Sequence, residues 1–552
     1  MYTFLTLPIE LVYRIMDYQS DFTLFYSMQN VCQRLNQILN TYHRYQTLTT
    51  LDLSAKQIRD REAQHIGYAL RTNKTLAILE LGRNHIGIEG IQYIADALRT
   101  NTTLTTLDLR KNIIGDQAVQ HMSNALRSNT TITELYLKGN KIGHQGAQYL
   151  SDALRTNMTL TTLHLSFNEI ADEGAEHLAD ALQANTTLTR LHLTSNQIHH
   201  KGAQHIGDAL RVNNILATLY LSENYIGNKG SQHIGDALRS NTGLTKLRLD
   251  CNQIDGQGSE HIGYGLRSNT TLVTLDLRYN QISRQGAEHI ADALRTNAVL
   301  ITLHLHCNRI GDQGAQHIAD ALRTNKTLAI LHLNSNQIGD EGGQHLGDAL
   351  RTNTALITLD FGNNLIGDQG AQYIGGGLQT NATLTSLHLS NNQIGHQGIR
   401  HISDALRVNV TLTTLDLGSN QFGDEGAQHL ADALRTNRTL NTLNIHYNEI
   451  GDQGAQYLAD ALKTNITLTE LQLNNNKVGD QAAQHIADAL RTNMTLITLY
   501  LSWNQISDQG VQYLDDALRA NTTLTTLNLY WNQISSARVQ NFRDTFVDRV
   551  KC

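Results

Sequence analysis

Residues 76–103 read LAILELGRNHIGIEGIQYIADALRTNTT, and at Leu104 the same pattern starts again. Leu79 and Leu81 stand two apart, so they share one face of a short strand, with Glu80 on the other. Asn84 follows where the chain must turn out of the strand. Its amide has two donors and two acceptor lone pairs with which to satisfy turning backbone. Gly87 suits a turn conformation that other residues avoid. Ile91, Ile94, Ala97 and Leu98 then recur at three- and four-residue spacing, the apolar stripe of an amphipathic helix. In the next copy Asp116, after Ile114 and Gly115, is placed as the N-cap of such a helix. One copy is therefore a strand, a turn and a helix.

Steps of 28 from Asn84 land on Asn112, Asn140 and onward to Asn532, seventeen asparagines without an insertion or deletion, and Lys56 holds the place in a divergent first copy. Strands pack ~4.8 Å apart, whereas helix axes need about 8–10 Å. Stacked copies must therefore curve, with a parallel sheet on the concave side and helices outside. Each copy buries its core only against its neighbours, so both ends need caps. The pattern LxxLxLxxNxIG, followed by a GAQHIADALRTN-like stretch, resembles the leucine-rich repeat of the ribonuclease-inhibitor type over roughly residues 46–534. The fold class expected is an α/β leucine-rich-repeat solenoid, a horseshoe, with a small all-α module ahead of it. The expected divisions are 1–45, 46–534 and 535–552. The last reads as a capping helix, with Val539, Phe542, Phe546 and Val550 as its apolar stripe.

The chain has 552 residues, a single proline (Pro8) and a net charge of −7. A nucleic-acid binder normally carries a basic excess, so no nucleic acid is expected. No apolar run reaches the ~18 residues of a membrane span. The stretch Met1–Met16 lacks a basic start and carries Glu10, so it does not read as a secretory signal. Four scattered cysteines fit a reducing, cytoplasmic or nuclear compartment. Cys251 and Cys307 share a register two copies apart, ~10 Å by strand spacing, too far for a disulfide.

Residues 1–45 do not follow the repeat. Leu11 and Ile15 share a helical face, and Val31, Leu35 and Ile38 make another. Leu7-Pro8-Ile9-Glu10-Leu11, Ile15-Met16 and Val31-Cys32-Gln33-Arg34 resemble the F-box motif, with Met16, Gln19 and Leu35 departing from its usual residues. The resemblance implies docking onto the small adaptor subunit of a cullin–RING ubiquitin ligase through Leu7, Pro8, Glu10, Leu11, Ile15, Val31, Cys32 and Arg34. The other reading is a helical cap over the first repeat, and the two are compatible.

A protein partner is expected on the concave face, at the outward strand positions and the two residues before each ladder asparagine. Early copies place Arg110, Lys111 and Lys138 there. Middle copies offer His164, His192, Tyr220, Lys246, Arg248 and Tyr279. Late copies offer His446, Tyr447, Tyr500, Trp503, Tyr530 and Trp531. The chain's two tryptophans share a register in adjacent copies, which predicts that they stack side by side. Trp, Tyr and Arg dominate interface hot spots, so Tyr447, Tyr500, Trp503, Tyr530, Trp531, Arg110, Lys111 and Lys138 are the candidate partner-binding residues.

Other constellations carry less. Twelve of the 25 histidines fill one helix position, as at His65 and His121, and read as repeat inheritance. His304, His306 and His332 are close enough to share a metal but read as a solvated patch, so no metal or cofactor is expected. Thirteen Asn-x-Thr sequons, such as Asn73, Asn101, Asn129 and Asn157, fall at one junction and read as turn structure. No nucleophile–base arrangement stands out, and Asp52, Asp108, Asp276, Asp360 and Asp416 are spread across separate strands, so no catalysis is expected. The leading expectation is the substrate-recognition subunit of a ubiquitin ligase. The alternatives are a scaffold similar to ribonuclease inhibitor or to NLR-type sensor arms, and a GTPase activator similar to RanGAP.

Overall fold

The alternation at Leu79–Glu80–Leu81 folds as a three-residue strand, Ile78–Glu80, with Leu79 and Leu81 both fully buried. The computed structural model describes residues 47–546 and 549–551. The expected module at 1–45, including Leu7, Pro8, Glu10, Leu11, Ile15, Val31, Cys32 and Arg34, lies outside the described residues. The chain forms two units, residues up to Ile254 with Tyr264–Leu275, and Asp255–Gly263 with Asp276–Cys552.

In the first unit, eight strands from Thr50–Asp52 to Lys246–Arg248 pair in chain order, all parallel. Leu51 lies opposite Leu79, Leu79 opposite Leu107, and so on to Leu247, so the pairing register is the sequence repeat itself. In the second unit, nine strands from Thr302–His304 to Thr526–Asn528 pair in the same way. A helix follows each strand and packs on the helices of neighbouring copies. In the copy that starts at Leu76, the side chains of Leu76, Leu79, Leu81, Ile86, Ile91, Ile94 and Leu98 are 0 % exposed. Each such side chain stabilises the fold by about 1.5–3 kcal/mol.

Two asparagine ladders hold the copies together. In the first, Asn84 donates through Nδ2 to the carbonyls of Leu53 and Leu81, both at 2.9 Å, and its Oδ1 accepts from the N–H groups of Lys56 and Ile58 at 3.0 Å. One buried amide therefore satisfies backbone in its own copy and in the preceding one. The second ladder is the sequon asparagine. Asn101 Nδ2 donates to Leu70 O at 2.8 Å, and its Oδ1 accepts from Thr103 and Leu104 N–H. The Nδ2 that a glycan would modify is thus in use, on a residue 2 % exposed. Asn73, Asn129 and Asn157 are buried likewise.

Three local expectations need correction. Asp116 does not cap its own helix, Gly115–Leu126. Its Oδ1 instead accepts from Gly143 N at 2.7 Å and Gly146 N at 3.0 Å, capping the helix of the next copy. Glycine at position 146 lets the carboxylate come close, since a Cβ there would stand 2.5 Å from that oxygen, and where alanine holds the place, at Ala482, the same bond lengthens to 3.2 Å. Gly87 sits at φ −108, which any residue adopts, whereas Gly115 at φ 63 does use the left-handed region. Finally, the capping helix does not fill 535–552. It spans Ser536–Thr545, and Val550–Lys551 then forms a further parallel strand against Leu527 and Asn528. Phe542, Phe546 and Val550 are buried as the apolar pattern implied. Arg549 ends the second ladder, its guanidinium donating to Asn521 O at 2.8 Å and Leu524 O at 2.7 Å where the next asparagine would have stood.

Candidate functional site

Every buried leucine leaves its strand neighbours on the side away from the leucine core: the residue before the first strand leucine, the one between the two leucines, and the two that follow, most of them half-buried or exposed and a few, such as Asp108, Ser166 and Asp250, buried among their neighbours. The last of these positions, just before the ladder asparagine, is held in the left-handed region: Arg83 at φ 57, Lys111 at φ 53, Tyr447 at φ 52, Trp503 at φ 56 and Trp531 at φ 58. That conformation costs a non-glycine residue roughly 1–2 kcal/mol. It is fixed by the backbone: Arg83 N–H donates to Arg110 O and Trp503 N–H to Tyr530 O, both at 2.8 Å. Because the main chain alone imposes the geometry, any side chain can be carried there, and it is held outward.

In the second unit this position carries the late aromatics. Trp503 and Trp531 stack at 4.8 Å between ring centroids, tilted by 18°, and remain 52 % and 70 % exposed. Tyr530 is exposed beside Trp531, with the guanidinium of Arg543 from the last helix 5.9 Å from its ring centre. Tyr447 is exposed two copies earlier and borders a shallow hollow of about 220 Å³ with Glu449, Asn475, Asn476 and Lys477. Tyr500 stands apart from the stacked pair, half-buried between its two strand leucines.

In the first unit the candidate cations lie in consecutive copies. Arg110 is tied to Asp108 through its guanidinium, and this raises its pKa. Lys111 is exposed, and the Lys138 ammonium lies 4.4 Å from the Phe167 ring centre. Beside them, at the position between the strand leucines, runs a column of rings. Tyr136 meets His164 at 5.8 Å, His164 stacks on His192 at 4.5 Å, and His192 meets Tyr220 at 4.3 Å. Arg110 covers the Tyr136 end at 5.9 Å, and Arg248 covers Tyr220 at 5.2 Å. Burial, with nearby cations, pushes His164 and His192 down to about 4, so both are neutral at pH 7. Burial and a hydrogen bond from its hydroxyl to Glu134 push Tyr136 up to about 12.

The same position in the second unit alternates histidine with aspartate only from His332 to Asp416, through Asp360 and His388. His332 Nδ1 lies 3.4 Å from Asp360, and His388 Nδ1 lies 3.8 Å from Asp416. The bond to Asp416 raises the His388 pKa against the effect of burial. Burial works to raise Asp360, but bonds from His332 and the Gly362 N–H outweigh it and hold the carboxyl low. His304 meets His332 at 4.8 Å and His306 at 6.1 Å. Among the described residues, no group of three or more His, Cys, Asp or Glu is placed to hold a metal ion. Nor is any helix among them long and apolar enough to cross a membrane. The Cys307 thiol is free.

Two family models match the chain. One is described as a leucine-rich repeat, at residues 72–95, 100–122, 128–151, 268–291, 296–319, 324–347, 352–375, 380–403 and 520–537. The other is the TMOD/LMOD leucine-rich domain, at 140–252 and 399–505. The chain is built of leucine-rich repeats. Solved structures similar to it include an internalin from Listeria monocytogenes, 20 % identical over 78 % of this chain and 88 % of that one, with a TM-score of 0.36. They include the leucine-rich-repeat ectodomain of the Arabidopsis receptor kinase HAESA, in complex with an IDA peptide hormone, 16 % identical over 95 % of this chain and 85 % of that one, with a TM-score of 0.39. A TDR receptor is 16 % identical over 89 % of each chain, with a TM-score of 0.40. No curated protein sequence matches the chain.

Sequence reasoning found the tryptophan pair of the leucine-rich repeats but did not select the ring column as a site. Its signal was present in the sequence: Tyr136, His164, His192, Tyr220 and Arg248 are all 28 apart.

Proposed function

We propose that this chain is a non-catalytic binding scaffold, the substrate-recognition subunit of a cullin–RING ubiquitin ligase. The sheet side of the repeats holds the protein to be modified, and Leu7, Pro8, Glu10, Leu11, Ile15, Val31, Cys32 and Arg34 dock the small adaptor subunit in the cytosol or nucleus. The scaffold raises the local concentration of a target lysine near the charged ubiquitin carrier. The observation that carries the binding role is the stacked Trp503–Trp531 pair, more than half exposed on a backbone that holds it outward. Large exposed aromatics of this kind mark interaction surfaces. The adaptor role is supported by the Leu7-Pro8-Ile9-Glu10-Leu11 and Val31-Cys32-Gln33-Arg34 stretches.

The test is co-purification of the full chain with the adaptor, beside Leu11→Asp/Ile15→Asp and Trp503→Ala/Trp531→Ala. The parent retains adaptor and substrate. The first variant loses only the adaptor, and the second loses only the substrate. A parent chain that never retains the adaptor contradicts the ligase role and leaves an inhibitor-like scaffold. Substrate retained in full by the tryptophan variant contradicts the binding site.

A further inference from the structure

The first unit carries a second surface, chemically unlike the tryptophan pair. Its centre is the ring column Tyr136–His164–His192–Tyr220, closed at its ends by the guanidinium groups of Arg110 and Arg248. His164 and His192 stack face to face, Tyr136 and Tyr220 are tilted by 36° and 60° to the histidines beside them, and Arg110 and Arg248 lie over the two tyrosine rings, so the ring faces are taken by these neighbours. The two imidazoles carry no charge at pH 7, and the column is an uncharged spine of half-buried rings.

Charge lies to both sides of that spine and is unbalanced. On one side Arg190 and Lys246 precede the first leucines of their strands, and on the other Lys138 follows the second leucine of its own. Among the described residues none of these three has a carboxylate within ion-pair reach. The carboxylates nearest the column are engaged: Asp108 with Arg110, Asp250 with Arg248 at 3.3 Å and with the Ser222 hydroxyl, and Glu134 with the Tyr136 hydroxyl at 2.8 Å, while Glu80, beside Asp108 in register, acts on Arg110. Glu223 is exposed just before a ladder asparagine, three residues beyond Tyr220 and away from the spine. The surface is therefore cationic around an apolar line, although the chain as a whole is acidic.

We infer that this surface binds an extended acidic segment of a protein partner, its carboxylates meeting Arg190, Lys246 and Lys138 and its apolar side chains lying along the ring edges. The inference rests on the reading of the sheet side as the binding side. Charge complementarity selects an anionic occupant. The closed ring faces disfavour single-stranded nucleic acid, whose bases need open aromatic faces on which to stack. Spacing narrows the peptide further. Arg190 and Lys246 are two strands apart, ~10 Å, and an extended chain of the polyproline-II kind rises ~3.1 Å per residue with about three residues per turn, so carboxylates three residues apart fall on one face and at the matching distance.

The probe is a fluorescein-labelled peptide of four Glu-Ser-Tyr repeats, measured by fluorescence anisotropy against the full chain at low salt. Its Gln-Ser-Tyr counterpart and a labelled twelve-base oligothymidine are measured in parallel. The glutamate peptide is expected to bind and to weaken as salt rises. The double variant Arg190→Gln/Lys246→Gln should lower its affinity by about tenfold, each charge contributing several-fold. The glutamine peptide should not bind, and Trp503→Ala/Trp531→Ala should bind the glutamate peptide as the parent does. The last result separates this inference from the tryptophan reading, since substrate loss in that variant would leave this surface intact. Equal binding of the two peptides, affinity unchanged in the charge variant, no binding by the parent, or oligothymidine binding that matches the glutamate peptide would each overturn the inference.

Discussion

Replacing Asn140 by alanine removes one rung of the first asparagine ladder and nothing from the apolar core. Asn140 is fully buried. Its Nδ2 donates to Leu109 O and Leu137 O at 3.0 Å each, and its Oδ1 accepts from Asn112 N–H at 3.0 Å. These three hydrogen bonds, at ~1 kcal/mol net for each, are lost together with a longer one from Nδ2 to Lys138 O at 3.4 Å. The stranded N–H and carbonyl groups are closed off from water by the neighbouring copies, which keeps the loss at the upper end. The expected destabilisation is about 3 kcal/mol, against less than about 0.5 kcal/mol for Lys141→Ala on the exposed surface one residue away. Urea unfolding followed by circular dichroism gives both numbers. Native-state hydrogen exchange should show faster opening in the copies on either side of Asn140, because stability in a repeat array passes between nearest neighbours. An Asn140→Ala midpoint indistinguishable from that of Lys141→Ala would refute the view that the ladder, and not leucine burial alone, joins the copies.

Two further outcomes follow from the same geometry. His164 and His192 have folded-state pKa values near 4, below the ordinary value of 6.5. Their neutral forms therefore stabilise the first unit fully above about pH 6.5, and this is lost as pH falls toward 4. His388 works in the opposite sense, because Asp416 raises its pKa: its contribution is full below about 6.5 and fades as pH rises past the folded value. Urea midpoints measured from pH 4 to 8 should show a flatter acid limb in His164→Asn/His192→Asn and a flatter neutral limb in His388→Asn. Glu223 is exposed at φ 54, so Glu223→Gly should relieve left-handed strain and raise stability by about 0.5–1 kcal/mol. A lowered melting temperature in that variant would count against strain at this position.

The core was legible in the sequence because its signal is repeated. Leu79, Leu81 and Asn84 each recur at the same step, and one physical reading of a single copy extends along the array. The tryptophan stack was legible for the same reason, as two residues in one register must be strand neighbours. Interactions that cross from one copy to the next were harder to read. Asp116 looks like a local N-cap in one dimension, yet its carboxylate is nearer to Gly143 and Gly146 of the next copy. The left-handed conformation before each ladder asparagine is marked by a glycine only at Gly139, because at positions such as Trp503 it is set by a hydrogen bond to the following copy. Arg549 carries no repeat signature, since it does an asparagine's work with a different group.

The claim on which the functional account depends is that partners meet the strand side of the repeats and not the helices. A photo-crosslinking phenylalanine analogue placed at Tyr447, on the strand side, and separately at Gln428, exposed on the helix Gly423–Leu434, tests it directly in the substrate-bound chain. The account predicts a discrete adduct with the substrate from position 447 and none from position 428. Adducts from position 428 alone, or equally from both, would contradict it.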